Sequence, residues 1–171
     1  MKTILACTLA LSINSLAYAD EDKSSDVNKN KFSSPDKIYI NPTFGFSPDM
    51  GILGIEIQKG HHIIGVGIPG NVSYKWFSNP SGNSKFYSLY GGHYSLDSYN
   101  DEFDNIYYRN LKSSFFGAGI GYRWQWQSGW NISASVSLEH SNDEYSNPNS
   151  PYARKDISNF ILPGVVAGYK F

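Results

Sequence analysis

Residues 115–139 alternate with a period of two on both sides of one tight turn, and few folds accept that pattern. Phe116, Ala118, Ile120, Tyr122, Trp124 and Trp126 interleave with Phe115, Gly117, Gly119, Gly121, Arg123 and Gln125. Beyond Gln127-Ser128-Gly129, the residues Trp130, Ile132, Ala134, Val136 and Leu138 interleave with Asn131, Ser133, Ser135, Ser137 and Glu139. Side chains of a strand point alternately to opposite faces, so each strand has one apolar face and one small or polar face. That dyad pattern is the one expected of a strand with lipid on one side and a filled, polar interior on the other.

The same punctuation extends along the chain. From Lys37 onward, short alternating segments are cut by Gly, Pro, Asn and Ser, with no sustained helical period. Eight strands are expected, at 37–46, 50–58, 61–68, 71–78, 84–96, 112–126, 129–141 and 157–171. Alternate connections, at Lys59-Gly60, Asn79 to Asn83 and Gln127-Ser128, are short. The opposite set holds the long ones, 97–111 and 142–156, together with two short turns around Pro48-Asp49 and Pro69-Gly70. Short turns at one end and longer loops at the other match an even-stranded membrane barrel with its N-terminus in the periplasm.

Aromatic residues crowd the short-turn end. Tyr122, Trp124, Trp126 and Trp130 flank one turn, and Trp76, Phe77, Phe86 and Tyr87 flank another. Tyr169 and Phe171 close the last strand. Amphipathic rings favour the membrane–water boundary, so the set reads as an inner aromatic girdle.

Met1 to Ala19 reads as a cleaved signal peptide, with Lys2 before an apolar run and Ala17-Tyr18-Ala19 as the cleavage site. Cys7 follows too few residues to serve as a lipidation site. Residues 20–36 are rich in Asp, Lys, Ser and Asn and read as a disordered periplasmic lead-in. The segment after residue 19 contains no cysteine, which excludes disulfides and thiol chemistry there. A net charge of −1 makes no electrostatic case for nucleic acid. A mean hydropathy of −0.39 with no long apolar run excludes a transmembrane helix, though a barrel tolerates such an average.

The alternation, the signal peptide, the run Gly117-Ala118-Gly119-Ile120-Gly121-Tyr122-Arg123-Trp124 and the Tyr169-Lys170-Phe171 ending together resemble the small eight-stranded outer-membrane barrels of Gram-negative bacteria. The resemblance covers residues 37–171. It implies an all-β fold, an eight-stranded antiparallel transmembrane β-barrel with short periplasmic turns, in the cell outer membrane. It implies as partners outer-membrane lipid and lipopolysaccharide, and the barrel assembly machinery that reads a terminal Phe. Architecture of this kind hosts several functions, so a role must come from a site.

Parity places Glu56, Lys75, Arg123, Glu139 and Lys170 on inward faces. A barrel this narrow is filled by side chains, so these charges are expected to pair as a plug rather than line a pore. Arg123 and Glu139 lie on adjacent strands at unequal depth, which argues against direct contact between them. The glycines at 117, 119 and 121 share the inward face and make room for larger inward side chains.

His140-Ser141-Asn142 is similar to the His-x-Ser-Asn segment of the outer-membrane lipid A deacylases. The resemblance implies His140 as base, Ser141 as nucleophile and Asp156 as the orienting acid. Here His and Ser are adjacent, so in a regular strand they point to opposite faces unless a bulge intervenes. Adjacent His61 and His62 point apart, and His93 stands alone, so no metal site or cofactor is expected. Tyr99, Phe103, Tyr107 and Tyr108, beside Asp97, Asp101, Glu102 and Asp104, suit adaptable recognition. The expected role is non-catalytic, supporting membrane integrity or meeting a host or environmental surface ligand through 97–111 and 142–156. An outer-leaflet lipid A-modifying hydrolase is the alternative. A soluble lipocalin-like barrel is disfavoured by the apolar outer faces of 112–126 and 129–141.

Overall fold

Segments that alternate with period two cannot satisfy their backbone groups within themselves, so each must pair with neighbours. The computed structural model describes residues 36–97, 100–101, 106–107, 110–146 and 153–171. The signal peptide, nearly all of the lead-in, and the side chains of residues 97–109 and 147–153 lie outside the described residues.

The strands are β1 (Ile38–Ser47), β2 (Gly51–Lys59), β3 (His62–Ile68), β4 (Asn71–Phe77), β5 (Ser84–Asp97), β6 (Asn100–Asp101), β7 (Ile106–Tyr107), β8 (Asn110–Gln125), β9 (Trp130–Ser146) and β10 (Ala153–Tyr169). Eight of them close into an antiparallel barrel in the order β1-β10-β9-β8-β5-β4-β3-β2, while β6 and β7 form a small separate hairpin. That hairpin lies in the segment expected to be plain loop.

Register fixes the shape. Ile38 pairs with Lys59, and its row continues through His62, Trp76, Tyr87, Ile120, Val136 and Pro163. Extended by the β1–β10 register, the row meets the chain again at position 48, just past the end of β1 and ten residues above its start. An eight-stranded barrel with that stagger has strands tilted about 40° from its axis, the ordinary range for a small barrel.

Polarity is inverted relative to a water-soluble core. Asn41, Glu56, Lys75, Arg123 and Asn131 are buried, while Ile40, Phe44, Ile55, Ile120, Leu138 and Val165 are exposed. From Phe171, two residues past the end of β10, to Ile161 within it, the outward positions cover ten residue steps, which at this tilt rise about 25 Å. That is the height of a membrane barrel's apolar band.

Two departures from the expected pattern matter. The strand ends at the long-loop side reach further than the apolar signal, to Ser146 on β9 and from Ala153 on β10. The β1–β4 half has strands of 10, 9, 7 and 7 residues. Strands β5, β8, β9 and β10 have 14, 16, 17 and 17. One half therefore overhangs the band by about 15 Å.

The second departure is in the girdle. Trp130, Tyr169 and Phe171 stack edge to face at 5.3 and 4.9 Å, and Tyr122 meets Trp124 at 5.0 Å. Trp126 and Trp130 are exposed beside them. Phe77 and Phe86, expected in this ring, instead face inward, stacked at 5.0 Å and buried with Ile63. Phe77 shares parity with Lys75, so it cannot point outward while Lys75 points in.

The inward glycines behave as expected. A Cβ on Gly121 would lie 2.3 Å from the Phe86 ring, and one on Gly117 would lie 2.4 Å from Tyr90.

Candidate functional site

Glu56 stands at the centre of the lumen with 0% exposure. Its carboxylate accepts from Lys75 Nζ at 2.8 Å and from Asn41 Nδ2 at 2.6 Å. Arg123 Nη2 reaches both oxygens, at 2.9 and 2.7 Å. Arg123 Nε also donates to Ser133 Oγ at 2.9 Å, and its guanidinium lies 4.7 Å from the Phe77 ring centroid. Asn131 Nδ2 donates to Asn41 Oδ1 at 2.9 Å and extends the network to β9.

The fourth charge is one that parity alone could not supply. Asp49, in the turn after β1, folds into the lumen and meets Lys75 Nζ at 2.8 Å. Ser47 donates to the other Asp49 oxygen. Met50 follows it inward and fills a socket floored by glycine. Cβ atoms on Gly54 and Gly65 would strike the Met50 side chain at 2.3 and 2.5 Å, and one on Gly67 would strike its carbonyl oxygen at 1.8 Å. The sequence signal was present as three inward glycines near the β2–β3 rim, the same device as 117, 119 and 121.

Of the five charges expected inside, Glu56, Lys75 and Arg123 come together. Lys170 is buried apart from them, its Nζ 3.5 Å from the Pro80 carbonyl at the short-turn rim. Glu139 lies half-buried near the opposite mouth, paired in register with Gly117 and Phe160. Two carboxylates and two cations thus balance within the central cluster. Removed from water, such a set holds only because every charge has a partner of opposite sign.

On β9, His140 and Ser141 take opposite faces. His140 faces outward, its ring 5.1 Å from Phe116 and its Nδ1 2.9 Å from Asn159 Oδ1. An amide oxygen only accepts, so Nδ1 carries the proton. Ser141 is buried on the inner face and donates to Asp143 Oδ1 at 2.8 Å. Asp156 pairs in register with Asp143 and accepts from Arg154 Nε at 3.0 Å. The structure does not assemble these three into one site. It does place another imidazole against a serine: His93 Nδ1 lies 3.0 Å from Ser114 Oγ on the outer face of β5 and β8.

His61 and His62 do point apart, toward the Phe77 carbonyl at 2.6 Å and the Tyr74 hydroxyl at 2.7 Å. Among the described residues no group of His, Cys, Asp and Glu is placed to hold a metal. Comparison of the chain with family models, with curated proteins and with solved structures returns no match.

Proposed function

We propose that this chain spans the bacterial outer membrane, with both barrel ends of β1 and β10 toward the periplasm, and acts there without catalysis. Its role is to support the membrane and to present the overhanging half, with the loops at 97–111 and 142–156, to an outside ligand. The carrying observation is the inversion of polarity, a band of exposed Ile, Leu, Val and Phe around a buried Glu56–Lys75–Arg123 cluster. A lipid solvent makes that arrangement favourable, because it leaves the apolar outer residues in an apolar medium and the charges paired inside. Cell fractionation tests it. The chain should sediment with the outer membrane after a high-salt wash, and release into the soluble fraction would overturn the reading.

A second reading, an outer-leaflet lipid hydrolase, is favoured by one observation, the Ser114–His93 contact at 3.0 Å. A hydroxyl beside an imidazole is the minimum for a nucleophile and its base. Mass spectrometry of lipid A decides it. Acylation unchanged on overexpression would remove the enzyme.

A further inference from the structure

We infer that the upper edge of β10, from Ala153 to Ile161, receives an extended, uncharged segment of another protein as an added antiparallel strand. The inference rests on the membrane-spanning reading above and names the kind of partner that the overhanging half receives.

Two backbone bonds fix which way the main-chain groups of β10 point. Lys170 N–H donates to the Gly129 carbonyl on the β9 side at 2.8 Å, and Phe171 N–H donates to the Ile40 carbonyl on β1 at 2.9 Å. Successive residues of a strand direct their N–H and C=O groups to opposite neighbours. The β9–β10 register runs from Ala153 to Tyr169 without a shift, so this alternation carries up the whole strand. Lys155, Ile157, Asn159 and Ile161 therefore share the direction of Phe171, toward the β1 side.

On that side the ladder stops. The β1–β10 register reaches Phe46 opposite Val165, and two residues further it sets Pro48 opposite Pro163. Neither proline has an N–H to donate, and within sheets proline is confined to edges, strand ends and bulges for that reason. Past Pro48 the chain turns into the lumen with Asp49 and Met50. Among the described residues no strand takes the place of β1 above this point, so the main-chain donors and acceptors of the β10 edge face water.

The side chains say what such an edge accepts. Ile157 and Ile161 are 63% and 62% exposed on the outer face, and Phe160 is 45% exposed on the inner face. The ions along the edge are already matched within the sheet, Arg154 with Asp156 at 2.9 Å and Lys155 with Glu144 at 3.3 Å. Main-chain groups at strand spacing, flanked by apolar side chains and matched charges, are complementary to a neutral extended peptide. A second copy fits less well. Copies in one membrane run their β10 strands in the same direction, so their edges meet only in the weaker parallel pairing. The opposite flank is shorter, because β4 pairs with β5 as far as Gly92 and the turn at Gly70 stands against the His93 carbonyl.

The test uses the full chain in bilayer discs and a fluorescent peptide of alternating Val and Thr, as long as residues 153–161. Amide exchange by NMR and peptide anisotropy are read together. Without peptide, the amides of Ile157, Asn159 and Ile161 should exchange fast and those of Asp156, Ser158 and Phe160 slowly; saturating peptide should slow the first set. Ile157→Pro and Asn159→Pro remove donors that bond nothing within the barrel, so each should weaken binding about five- to tenfold, the scale of one main-chain bond. The same peptide with N-methylated backbone amides should not bind, a control that needs no variant. Slow exchange of Ile157, Asn159 and Ile161 without peptide would mean that the chain itself or a second copy covers the edge, and overturns the proposal. Binding that survives N-methylation or both prolines overturns it as well. A chain that inserts and binds no peptide sinks this inference alone, whereas a chain that never enters the discs sinks the membrane reading with it.

Discussion

Glu56 carries more of the interior than any other residue, because two cations and an amide converge on its carboxylate. Glu56→Gln keeps the shape and removes the charge, leaving Lys75 and Arg123 with Asp49 alone. Breaking a buried pair in this way costs about 3–5 kcal/mol. Urea titration of the folded barrel in detergent should show that loss; a variant as stable as wild type would mean that water already screens the cluster. Met50 gives a second prediction. A Cβ on Gly67 would meet the Met50 carbonyl oxygen at 1.8 Å, whereas one on Gly54 would meet the flexible Met50 tip at 2.3 Å and the Val66 carbonyl oxygen only at 2.9 Å. Gly67→Ala should therefore cost about 1–3 kcal/mol by overpacking and expel the turn, with Gly54→Ala milder. Hydrogen exchange of residues 47–51 reads the expulsion directly, and equal exchange in both variants would contradict it. The inward facing of Glu56, Lys75 and Arg123 was legible from parity. That Asp49 joins them was not, because a turn has no period, and its entry depends on the glycine socket on the next two strands.

At the level of strands, the apolar signal marks the exposed apolar band and not the full length of the strand. Inside the band, alternation located β1 to β5 within a residue or two at most ends. Above it, residues 142–146 and 153–156 are Asn, Asp, Glu, Lys and Arg among others, types depleted in strands. Both faces there meet water, so no pattern announces the strand, and pairing between β8, β9 and β10 alone sustains it. This separates two isoleucines that look alike by exposure. Ile120 on β8 is 61% exposed and Ile157 on β10 is 63% exposed. The first lies within the band and the second above it. Ile120→Lys should cost about 2–4 kcal/mol in a lipid bilayer, and Ile157→Lys about 0–1. Folding titrations in bilayers compare them, and equal costs would refute the placement of the band. The girdle shows the converse error. Aromatic clustering near a turn suggested a shared location for Trp76, Phe77, Phe86 and Tyr87, but parity splits them into two faces, and parity governs.

For the whole molecule, the uneven strand lengths give the barrel a low side and a high side. An outward-facing overhang predicts which amines an impermeant reagent can reach on intact cells. Lys112 and Lys155 on the overhang should be labelled, and Lys59 and Lys85 near the short-turn end should not. The reverse pattern would invert the orientation proposed here. The central claim, an inside-out barrel with lipid around its waist, is tested most directly by spin labels placed one at a time along residues 116–122 of β8 in a bilayer. Collision with dissolved oxygen should peak at Phe116, Ala118, Ile120 and Tyr122 and fall at Gly117, Gly119 and Gly121, with water-borne reagent excluded from the outward set. Free access of that reagent to Ala118 and Ile120 would show that water, not lipid, surrounds the barrel.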